Sequence, residues 1–600
     1  MRMHPRHHRP RRGLAALLAL LLAPGVGAAD AWFTAIEYRG DDGGPVPAAG
    51  QFRNPVLAGF YPDPSAIRVG EDFYLVTSSF GYYPGLPLFH STDLVSWRQI
   101  GHAIDRPGQM LYGDGEALTR GLFAATLAHD GRRFYIANTC FYCPGRGMGN
   151  FVITAAHPAG PWSDPAWLAI DGIDPSLFFD RDGRAWLVHN GVPDGPMRYD
   201  GHRAIWLRQF DRQTLSPVGP SIQLVDAGVD PASNPEHVEG PHLFRRGDWY
   251  YLTAAEGGTG EQHAQMIWRS RSVAGPYLPW PGNPTLTQRD LDPGRARPVT
   301  STGHAQFVEL ADGSWWAVFL ATRPYRGNQY NLGRETFLLP VEWRDDWPVI
   351  LPRGASVPTL VQRPPLPPGG QPVPTSGPMA WRETFAAPAL PRAWVLLDPP
   401  AAPWFATGPG GLRITPSATP LGAHGTGHGQ PAYLGHRLQH HRAQIAATLD
   451  ASELEPGELA GLALLQNESA HYIAALVREE GGDALVLLRR AGADEPLQGR
   501  ELARVALAQP LAGPVQLRLR LEGPRLDVDY ALAPGAWQLR LRLEGPRLDV
   551  DYALAPGAWQ RLGTELDASV LSVERAGGFI GNTFGPYALR TPAPATGRGR

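Results

Sequence analysis

The chain has 600 residues, of which 43% are hydrophobic and 18% are charged, and its net charge is −3. This composition is typical of a globular protein and offers no basic surface for nucleic acid or for an anionic membrane. The 70 glycines, 61 prolines and 10% aromatic residues indicate many turns and strands, and the length predicts about two to four domains.

The first 29 residues have the three parts of an export signal. The basic stretch MRMHPRHHRPRRG precedes an apolar run from Leu14 to Ala23, and small residues near Ala28 and Ala29 suit cleavage. The apolar run is too short to span a bilayer. We therefore predict a signal peptide over residues 1–29 and a secreted or periplasmic protein without a membrane anchor.

A short apolar strand, a glycine-containing turn and an aromatic-rich strand recur five times between residues 65 and 318. The turn glycines are Gly70, Gly131, Gly183, Gly247 and Gly313. Each unit predicts a β-hairpin, and the spacing leaves room for one four-stranded sheet per unit. We therefore predict an all-β protein with a five-bladed β-propeller over residues 51–355. A β-sandwich would also contain hairpins, but it would not require five matching ones.

Ionisable residues stand at matching positions before four of the five hairpins. They are Asp63, Asp174, Glu239 and His304, whereas the second unit carries Ala124. If the first strand of each hairpin is the innermost strand of its blade, these positions meet at one mouth of the central channel. We therefore predict a single site there and not a scatter of charged surface loops.

Asp63 lies between Pro62 and Pro64 in the stretch YPDP. The stretch alone is equally typical of a turn. Because proline restricts the residue that precedes it, we expect Asp63 to be extended and its carboxylate to have a fixed direction.

Three carboxyl groups at one mouth suit the hydrolysis of a glycosidic bond. This reaction needs a protonated acid at the leaving oxygen and a second carboxylate that attacks or activates water. Neighbouring carboxylates raise each other's pKa, which helps to keep one of them protonated near neutral pH. Asp63, Asp174 and Glu239 fit this scheme, and His304 could hold a water, a sugar hydroxyl or a metal-bound water.

Cys140 and Cys143 are the only cysteines and stand together in CFYC. A metal site would need further ligands nearby, and a thioredoxin-like motif would need a βαβ context. A local disulfide and a pair of inert thiols both stay open.

The second half of the chain again has the pattern of strands. Residues 356–380 are rich in proline and predict a semi-rigid linker. The segment 381–590 predicts a β-sandwich of the jelly-roll type, and 591–600 predicts a disordered tail. The 22-residue stretch QLRLRLEGPRLDVDYALAPGAW occurs twice without a mismatch, at 516–537 and 538–559. We expect one copy to supply sandwich strands and the other to be a spare hairpin at a sheet edge.

Five stretches together resemble the motif series of family 43 glycoside hydrolases. They are GFYPDPSAIR, GIDPSLFFDRDGRAWLV, EGPHLFRRGDWYYLTAAEGGTG, STGHAQFVEL and LGRETFLLPVEW. The chain is similar to β-xylosidases and α-L-arabinofuranosidases that carry an additional C-terminal sandwich. The resemblance implies a five-bladed propeller and an inverting exo-glycosidase that removes terminal β-D-xylosyl or α-L-arabinofuranosyl residues from hemicellulose oligosaccharides.

The resemblance also implies residue roles. Asp63 matches the general base, Glu239 matches the general acid, and Asp174 matches the residue that orients the acid and raises its pKa. Inversion would place the base and the acid about 6.5–9.5 Å apart. The positions that match substrate-binding residues are Phe80, Phe123, His304, Arg334 and Phe579. Phe123 stands where relatives often have tryptophan, and Phe584 lies one step from their usual second phenylalanine.

Two other functions stay open from the sequence. The same propeller could belong to an endo-arabinanase or a retaining fructosidase-like hydrolase, although the latter usually has its acid in a Glu-Cys motif, and Glu239 is followed by Gly-Pro. A non-catalytic sugar-binding propeller would be expected to lack one of the three acids. The chemistry requires no cofactor; a structural calcium ion near His304 and a homo-oligomer are both compatible with the sequence.

Overall fold

The computed structural model describes residues 30–112, 117–369, 374–427, 429–507, 514–522, 525–532, 538–544, 547–553, 559–563 and 567–591. The predicted signal peptide and nearly all of the predicted tail lie outside these residues. Strands dominate the described ranges, in which the few helices are at most four residues long. None of the helices in this part of the chain has the length and apolar character needed to cross a membrane.

Five antiparallel sheets follow one another as blades. Blade 1 consists of Ser65–Val69, Asp72–Val76, Gly85–Ser91 and Arg98–Ile104. Blade 2 consists of Gly121–His129, Phe134–Cys143, Gly147–Ala155 and Ala166–Leu168. Blade 3 consists of Ser176–Phe179, Ala185–Gly191, Ala204–Asp211 and Ser216–Asp226. Blade 4 consists of Glu239–Arg246, Trp249–Glu256, Ala264–Ser270, Leu278–Pro279 and Leu286–Thr287. Blade 5 consists of Thr300–Glu309, Trp315–Thr322, Glu335–Arg344 and Trp347–Val349.

The first strands of the blades form a closed ring. Each contacts the first strand of the next blade, and that of blade 5 contacts that of blade 1. The five-bladed propeller and its innermost strands are therefore confirmed.

Aromatic rings explain why the predicted hairpins are rich in aromatic residues. Rings from consecutive blades meet at the pairs Tyr74–Phe134, Tyr135–Phe179, Phe178–Tyr250 and Phe244–Phe307, with centroid distances of 5.4, 5.1, 6.2 and 4.9 Å. Large flat side chains on a sheet bury much apolar area between stacked blades.

Two further sheets form the predicted β-sandwich. One has the order Phe405–Gly408, Gly411–Ile414, Ala31–Gly40, Arg442–Asp450 and then the strands of the duplicated region up to Trp559–Gly563, with Met379–Glu383 also paired to Ala31–Gly40. The other has the order Arg500–Ala506, Gly482–Ala491, Ala470–Glu479, Glu458–Asn467, Thr583–Arg590, Ala432–Arg437, Trp394–Leu397 and Tyr82–Tyr83. Arg442–Asp450 alternates between buried and partly exposed residues, as expected for a strand with one face on a core.

Two strands connect the sandwich to the rest of the chain in ways that the sequence did not predict. Ala31–Gly40 precedes the propeller yet lies within a sandwich sheet, where Tyr38 pairs with Ile445. Tyr82–Tyr83 belongs to the propeller part of the chain but extends the other sheet by pairing with Leu396 and Leu397. The two domains therefore share backbone hydrogen bonds.

The proline-rich segment 356–380 differs from the semi-rigid linker that we expected. Leu360–Gln362 is a strand that pairs with Gln51–Arg53, and the Arg363 guanidinium donates to Asp93 Oδ2 at 2.5 Å. Prolines flank this short strand but leave its backbone free to pair, so residues 360–363 are attached to the propeller.

The first copy of the duplicated stretch lies next to the established sheet. Its strands are Val515–Glu522, paired with Arg442–Asp450, and Arg525–Leu532. The second copy contributes Gln538–Glu544 and Arg547–Ala553 as a further hairpin, followed by Trp559–Gly563. Leu517, Leu519 and Leu521 of the first copy are buried, so this copy completes the sandwich core.

Candidate active site

The residues singled out from the sequence come together in space. One cavity of about 630 Å³ opens where the first strands of the blades begin. All eight predicted site residues line it: Asp63, Phe80, Phe123, Asp174, Glu239, His304, Arg334 and Phe579. Its volume lies in the range of small-molecule sites, about 300–1,000 Å³.

Three of these residues share an unusual backbone conformation. Asp63, Asp174 and His304 occupy matching positions in blades 1, 3 and 5, and their φ angles are 52°, 55° and 49°. The predicted extended conformation of Asp63 is therefore wrong. Proline disfavours the right-handed helical region for the residue before it, but aspartate enters the left-handed region more readily than most residues. Such conformations are held by their surroundings and concentrate at functional sites.

Blade 4 uses glycine at the matching position, which places its acid one residue earlier. Gly240 has a φ of 59°, and a Cβ atom there would lie 2.8 Å from Cε1 of His304. The Gly240 amide donates to Asp174 Oδ2 at 3.0 Å. Only glycine fits this close approach, so Glu239 presents the carboxyl group of this blade.

Asp63 is held as a carboxylate by hydrogen-bond donors. Arg334 Nη1 donates to its Oδ1 at 3.1 Å, and Ser78 Oγ donates to its Oδ2 at 2.5 Å. His304 Nδ1 lies 3.7 Å from Oδ1. Burial opposes ionisation, but Arg334, His304 and Ser78 together outweigh it and hold the pKa of Asp63 below its ordinary value.

Glu239 and Asp174 are in the opposite electrostatic situation. Burial, followed by the negative charge of Asp174, raises the pKa of Glu239. Burial also raises the pKa of Asp174, and the charge of Asp63 adds to this effect. The cavity therefore contains one carboxyl group, that of Asp63, that ionises readily and two, those of Asp174 and Glu239, that retain their protons to higher pH.

Aromatic rings line the cavity beside the acids. The Phe80 ring centroid lies 5.2 Å from that of Phe123 and 6.1 Å from that of Phe579. The Arg334 guanidinium carbon lies 5.9 Å from the centroid of Phe80 and 5.8 Å from that of Phe579. Rings next to hydrogen-bonding groups suit a sugar, which has both apolar C–H faces and hydroxyl groups.

Phe579 reaches the cavity from the sandwich. Its amide donates to Thr119 Oγ1 at 3.0 Å, and the amide of nearby Asn582 donates to the Asn331 carbonyl at 2.8 Å. Phe584 does not line this cavity. It is buried in the sandwich and stacks on Tyr38 at 5.3 Å.

Several cavity residues were missed from the sequence. They are Phe141, Met148, Asp171, Asn190, Val192, Arg203, Glu236, His237 and Thr259. Most lie outside the motifs that the sequence analysis singled out, and they reach one cavity only because the blades close into a ring. Two of them stood within stretches that were singled out: Thr259 within EGGTG and Phe141 within CFYC. That stretch forms a Cys140–Cys143 disulfide.

Among the described residues, the carboxylates near His304 are too few to hold a calcium ion by themselves. Calcium takes about six to eight oxygen ligands, whereas the nearest carboxylate, Asp63, is already engaged by Arg334 and Ser78. In the described ranges no three or more His, Cys, Asp or Glu residues are grouped so that they could hold a metal ion.

Comparison with known proteins assigns the family. The profile of glycosyl hydrolases family 43 matches residues 52–348, and that of the beta xylosidase C-terminal concanavalin A-like domain matches residues 382–598. A xylosidase/arabinosidase of Butyrivibrio fibrisolvens is 38% identical over 436 residues, which cover 71% of this chain and 80% of the relative. The chain belongs to glycoside hydrolase family 43. It is a glycoside hydrolase, and its substrate is a carbohydrate.

Other relatives of this family 43 hydrolase cover both domains. A non-reducing end alpha-L-arabinofuranosidase of Bacteroides ovatus is 38% identical over 451 residues, 74% of this chain and 79% of the relative. The crystal structure of a GH43_12 protein retrieved from a capybara gut metagenome has a TM-score of 0.81 and 32% identity, covering 94% of this chain and 100% of that one. The structure of a xylan beta-1,4-xylosidase from Bacillus halodurans C-125 has a TM-score of 0.73 and 30% identity, covering 90% and 97%.

Proposed function

We propose that this hydrolase removes single terminal β-D-xylosyl or α-L-arabinofuranosyl residues from hemicellulose oligosaccharides, with inversion at the anomeric carbon. One observation carries the proposal. A single cavity holds Asp63, kept ionised by Arg334, and Glu239, whose pKa is raised, beside the aromatic rings. These are the two protonation states that an inverting hydrolysis requires.

In the proposed reaction Asp63 is the general base. It removes a proton from a water molecule, whose oxygen then forms a bond to the anomeric carbon. Glu239 donates its proton to the glycosidic oxygen as the bond between that oxygen and the anomeric carbon breaks. Asp174 acts through Glu239, because burial raises the pKa of Glu239 and the charge of Asp174 raises it further.

The sandwich loop favours removal of single end residues over cleavage within a chain. Phe579 stands between Thr119 of the propeller and the Arg334 guanidinium. A long polysaccharide running through the cavity would have to pass this ring. A chain end enters without that obstruction.

The choice of sugar rests on the relatives. Proteins named xylosidase/arabinosidase and non-reducing end alpha-L-arabinofuranosidase share 38% of their residues with this chain over the aligned regions. We therefore propose pentosides as substrates. The basic and apolar segments within residues 1–29 are the reason to propose that the protein is exported. We also propose that hydrolysis needs no cofactor, so that activity survives dialysis against EDTA.

A panel of pentosides tests the proposal. We expect the purified protein to release xylose or arabinose from 4-nitrophenyl β-D-xyloside, 4-nitrophenyl α-L-arabinofuranoside, xylobiose or arabinobiose. Reducing-end-labelled xylotriose and arabinotriose should shorten by one residue from the unlabelled end. Folded protein that acts on none of these substrates would overturn the proposed function, and early products cut within the chain would overturn exo action.

A further inference from the structure

The mouth of the active-site cavity has residues that the proposed cleavage does not use. At the floor, Asp63 and Arg334 are 4% and 6% exposed, whereas Met148 and Val192 at the rim are 45% and 53% exposed. All four line the same cavity. The cavity therefore continues outward from the carboxyl groups, in the direction that the rest of a substrate must take.

Aromatic rings connect the floor to the mouth. Buried Phe80 contacts Phe123 at a centroid distance of 5.2 Å, and Phe123 stacks face to face on Phe141 at 4.8 Å with an angle of 4°. Phe141 is partly exposed and lines the cavity. The series gives blade 2 an apolar wall that extends from the acids toward the mouth.

The disulfide holds the outer end of this wall. Phe141 lies between Cys140 and Cys143, close to the end of strand Phe134–Cys143, and Cys140 and Cys143 pair with Gly149 and Gly147 of the next strand. The Arg120 guanidinium carbon lies 5.0 Å from the Phe141 centroid. A cross-link next to the ring limits the conformations of the hairpin tip, and Arg120 and Phe123 hold the ring by cation–π contact and stacking.

Blades 3 and 4 give the mouth a different chemistry. Their polar side chains there are Asp171, Arg203, Glu236, His237 and Thr259. Glu236 is exposed, and His237 Nδ1 lies 3.5 Å from one of its carboxylate oxygens. An apolar wall combined with hydrogen-bonding groups matches a sugar ring, which has C–H faces and hydroxyl groups.

We propose that Phe141, fixed by the Cys140–Cys143 disulfide, is the apolar wall against which the sugar residue of the leaving group binds at the mouth. The inference rests on the proposed function and adds a residue that contacts the departing part of the substrate. In this proposal Phe141 contacts the leaving group and not the reacting atoms. It therefore determines specificity and is not a catalytic residue. Oxidising conditions outside the cell would maintain the disulfide that positions it.

A comparison of two leaving groups tests this role of Phe141. β-D-Xylosyl fluoride and xylobiose place the same sugar next to the carboxyl groups, but only xylobiose also places a second sugar ring in the mouth. If the enzyme prefers arabinose, α-L-arabinofuranosyl fluoride and arabinobiose are used in their place. We expect Phe141→Ala to lower kcat/KM for the disaccharide about tenfold more than for the fluoride, mainly through KM. Leu278→Ala is the control, since Leu278 is exposed on the edge strand Leu278–Pro279 of blade 4 and is not one of the residues that line the cavity.

The disulfide is tested on the intact enzyme as well as by mutation. We expect both dithiothreitol-treated wild type and the Cys140→Ser/Cys143→Ser double variant to show the same selective loss on the disaccharide, with near-UV circular dichroism confirming a folded protein. Equal effects of Phe141→Ala on both substrates, or none, would overturn this role of Phe141 while leaving the proposed function intact. A wild-type enzyme that hydrolyses neither pentoside pair would overturn the proposed function and this role of Phe141 together.

Discussion

At the scale of single residues, two carboxyl groups in one cavity have opposite pKa shifts because their neighbours differ. Asp63 accepts hydrogen bonds from Arg334 and Ser78, which favour its charged form. Glu239 is buried near the negative charge of Asp174, which disfavours its charged form. The roles that we propose for the base and the acid are thus consistent with these contacts.

The role proposed for Glu239 predicts a dependence on the leaving group. We expect Glu239→Gln to lower kcat on xylobiose by about 10²- to 10⁴-fold, because the glutamine cannot protonate the glycosidic oxygen. The loss should be much smaller on β-D-xylosyl fluoride, whose leaving group needs little help from an acid. Steady-state kinetics on both substrates measure the difference, and full activity of the variant on xylobiose would exclude Glu239 as the acid.

The charge of Asp174 predicts a shift in the pH profile. In the proposed reaction Asp63 is ionised and Glu239 is protonated, so kcat/KM should fall at low pH as Asp63 is protonated and at high pH as Glu239 ionises. Burial and Asp174 both raise the pKa of Glu239. Asp174→Asn removes the charge but not the burial, so the alkaline limb should move to lower pH. An alkaline limb that stays in place would contradict the role assigned to Asp174.

Much of the site could be predicted at this scale, because matching positions in a repeat must meet when the blades close into a ring. Asp63, Asp174 and His304 were found in this way, and Glu239 was found although Gly240 occupies the matching position. The left-handed backbone of Asp63 could not be predicted, since it depends on partners distant in sequence. Phe141 reaches the cavity only through the geometry of a hairpin tip.

At the scale of elements, a chain of buried and partly buried charges connects the sandwich side of the molecule to Asp63. Arg323 at the end of strand Trp315–Thr322 donates to both carboxylate oxygens of Glu335 at 2.6 and 2.9 Å, and to Asp42 Oδ2 at 2.7 Å. Glu335 follows Arg334 directly and also accepts from the Gly59 amide at 2.7 Å. The network therefore fixes the strand that presents Arg334 to Asp63.

Loss of Arg323, the centre of this network, should lower the free energy of unfolding of the protein. We expect Arg323→Ala to destabilise the protein by about 3 kcal/mol, because the buried Glu335 carboxylate loses its counter-charge. Urea unfolding provides the measurement. Arg344→Ala is the matched control, since Arg344 pairs with Glu342 on the exposed surface of the same blade and such pairs contribute little. Equal midpoints for the two variants would contradict a structural role for the network.

The hairpins of the propeller could be predicted because each is a local pattern of strand, turn and strand. Ala31–Gly40 was missed because its partners are distant in sequence. It pairs with Arg442–Asp450 some 400 residues later. Tyr82–Tyr83 is too short to give any pattern of its own, and only the docked sandwich shows that it is a strand.

At the scale of the whole molecule, the sandwich both contains the duplicated stretch and supplies Phe579 to the active site. The first copy pairs with Arg442–Asp450, and the second extends the same sheet away from that strand. Both copies end in tryptophan, Trp537 and Trp559. Trp559 is also the first residue of the last strand of this sheet, Trp559–Gly563. Deletion of 538–559 would join Trp537 to Gln560, so that Trp537 takes the place of Trp559 in the same local sequence.

This arrangement predicts that the second copy is dispensable. We expect the variant lacking 538–559 to keep its kcat/KM on pentosides and its Tm within error, because the first copy supplies the strand that contacts the core. Differential scanning calorimetry and steady-state kinetics test the expectation. A deletion variant that does not fold would show that the second hairpin stabilises the sandwich.

The stereochemistry of hydrolysis tests the central claim most directly. Proton NMR of a fresh reaction with xylobiose or arabinobiose identifies the anomer of the released terminal sugar before mutarotation. Asp63 acting as a base on water, with Glu239 as the acid, predicts that the first-formed sugar has the configuration opposite to that of the bond cleaved. A first-formed sugar that retains the configuration would contradict the assignment of Asp63 as a general base.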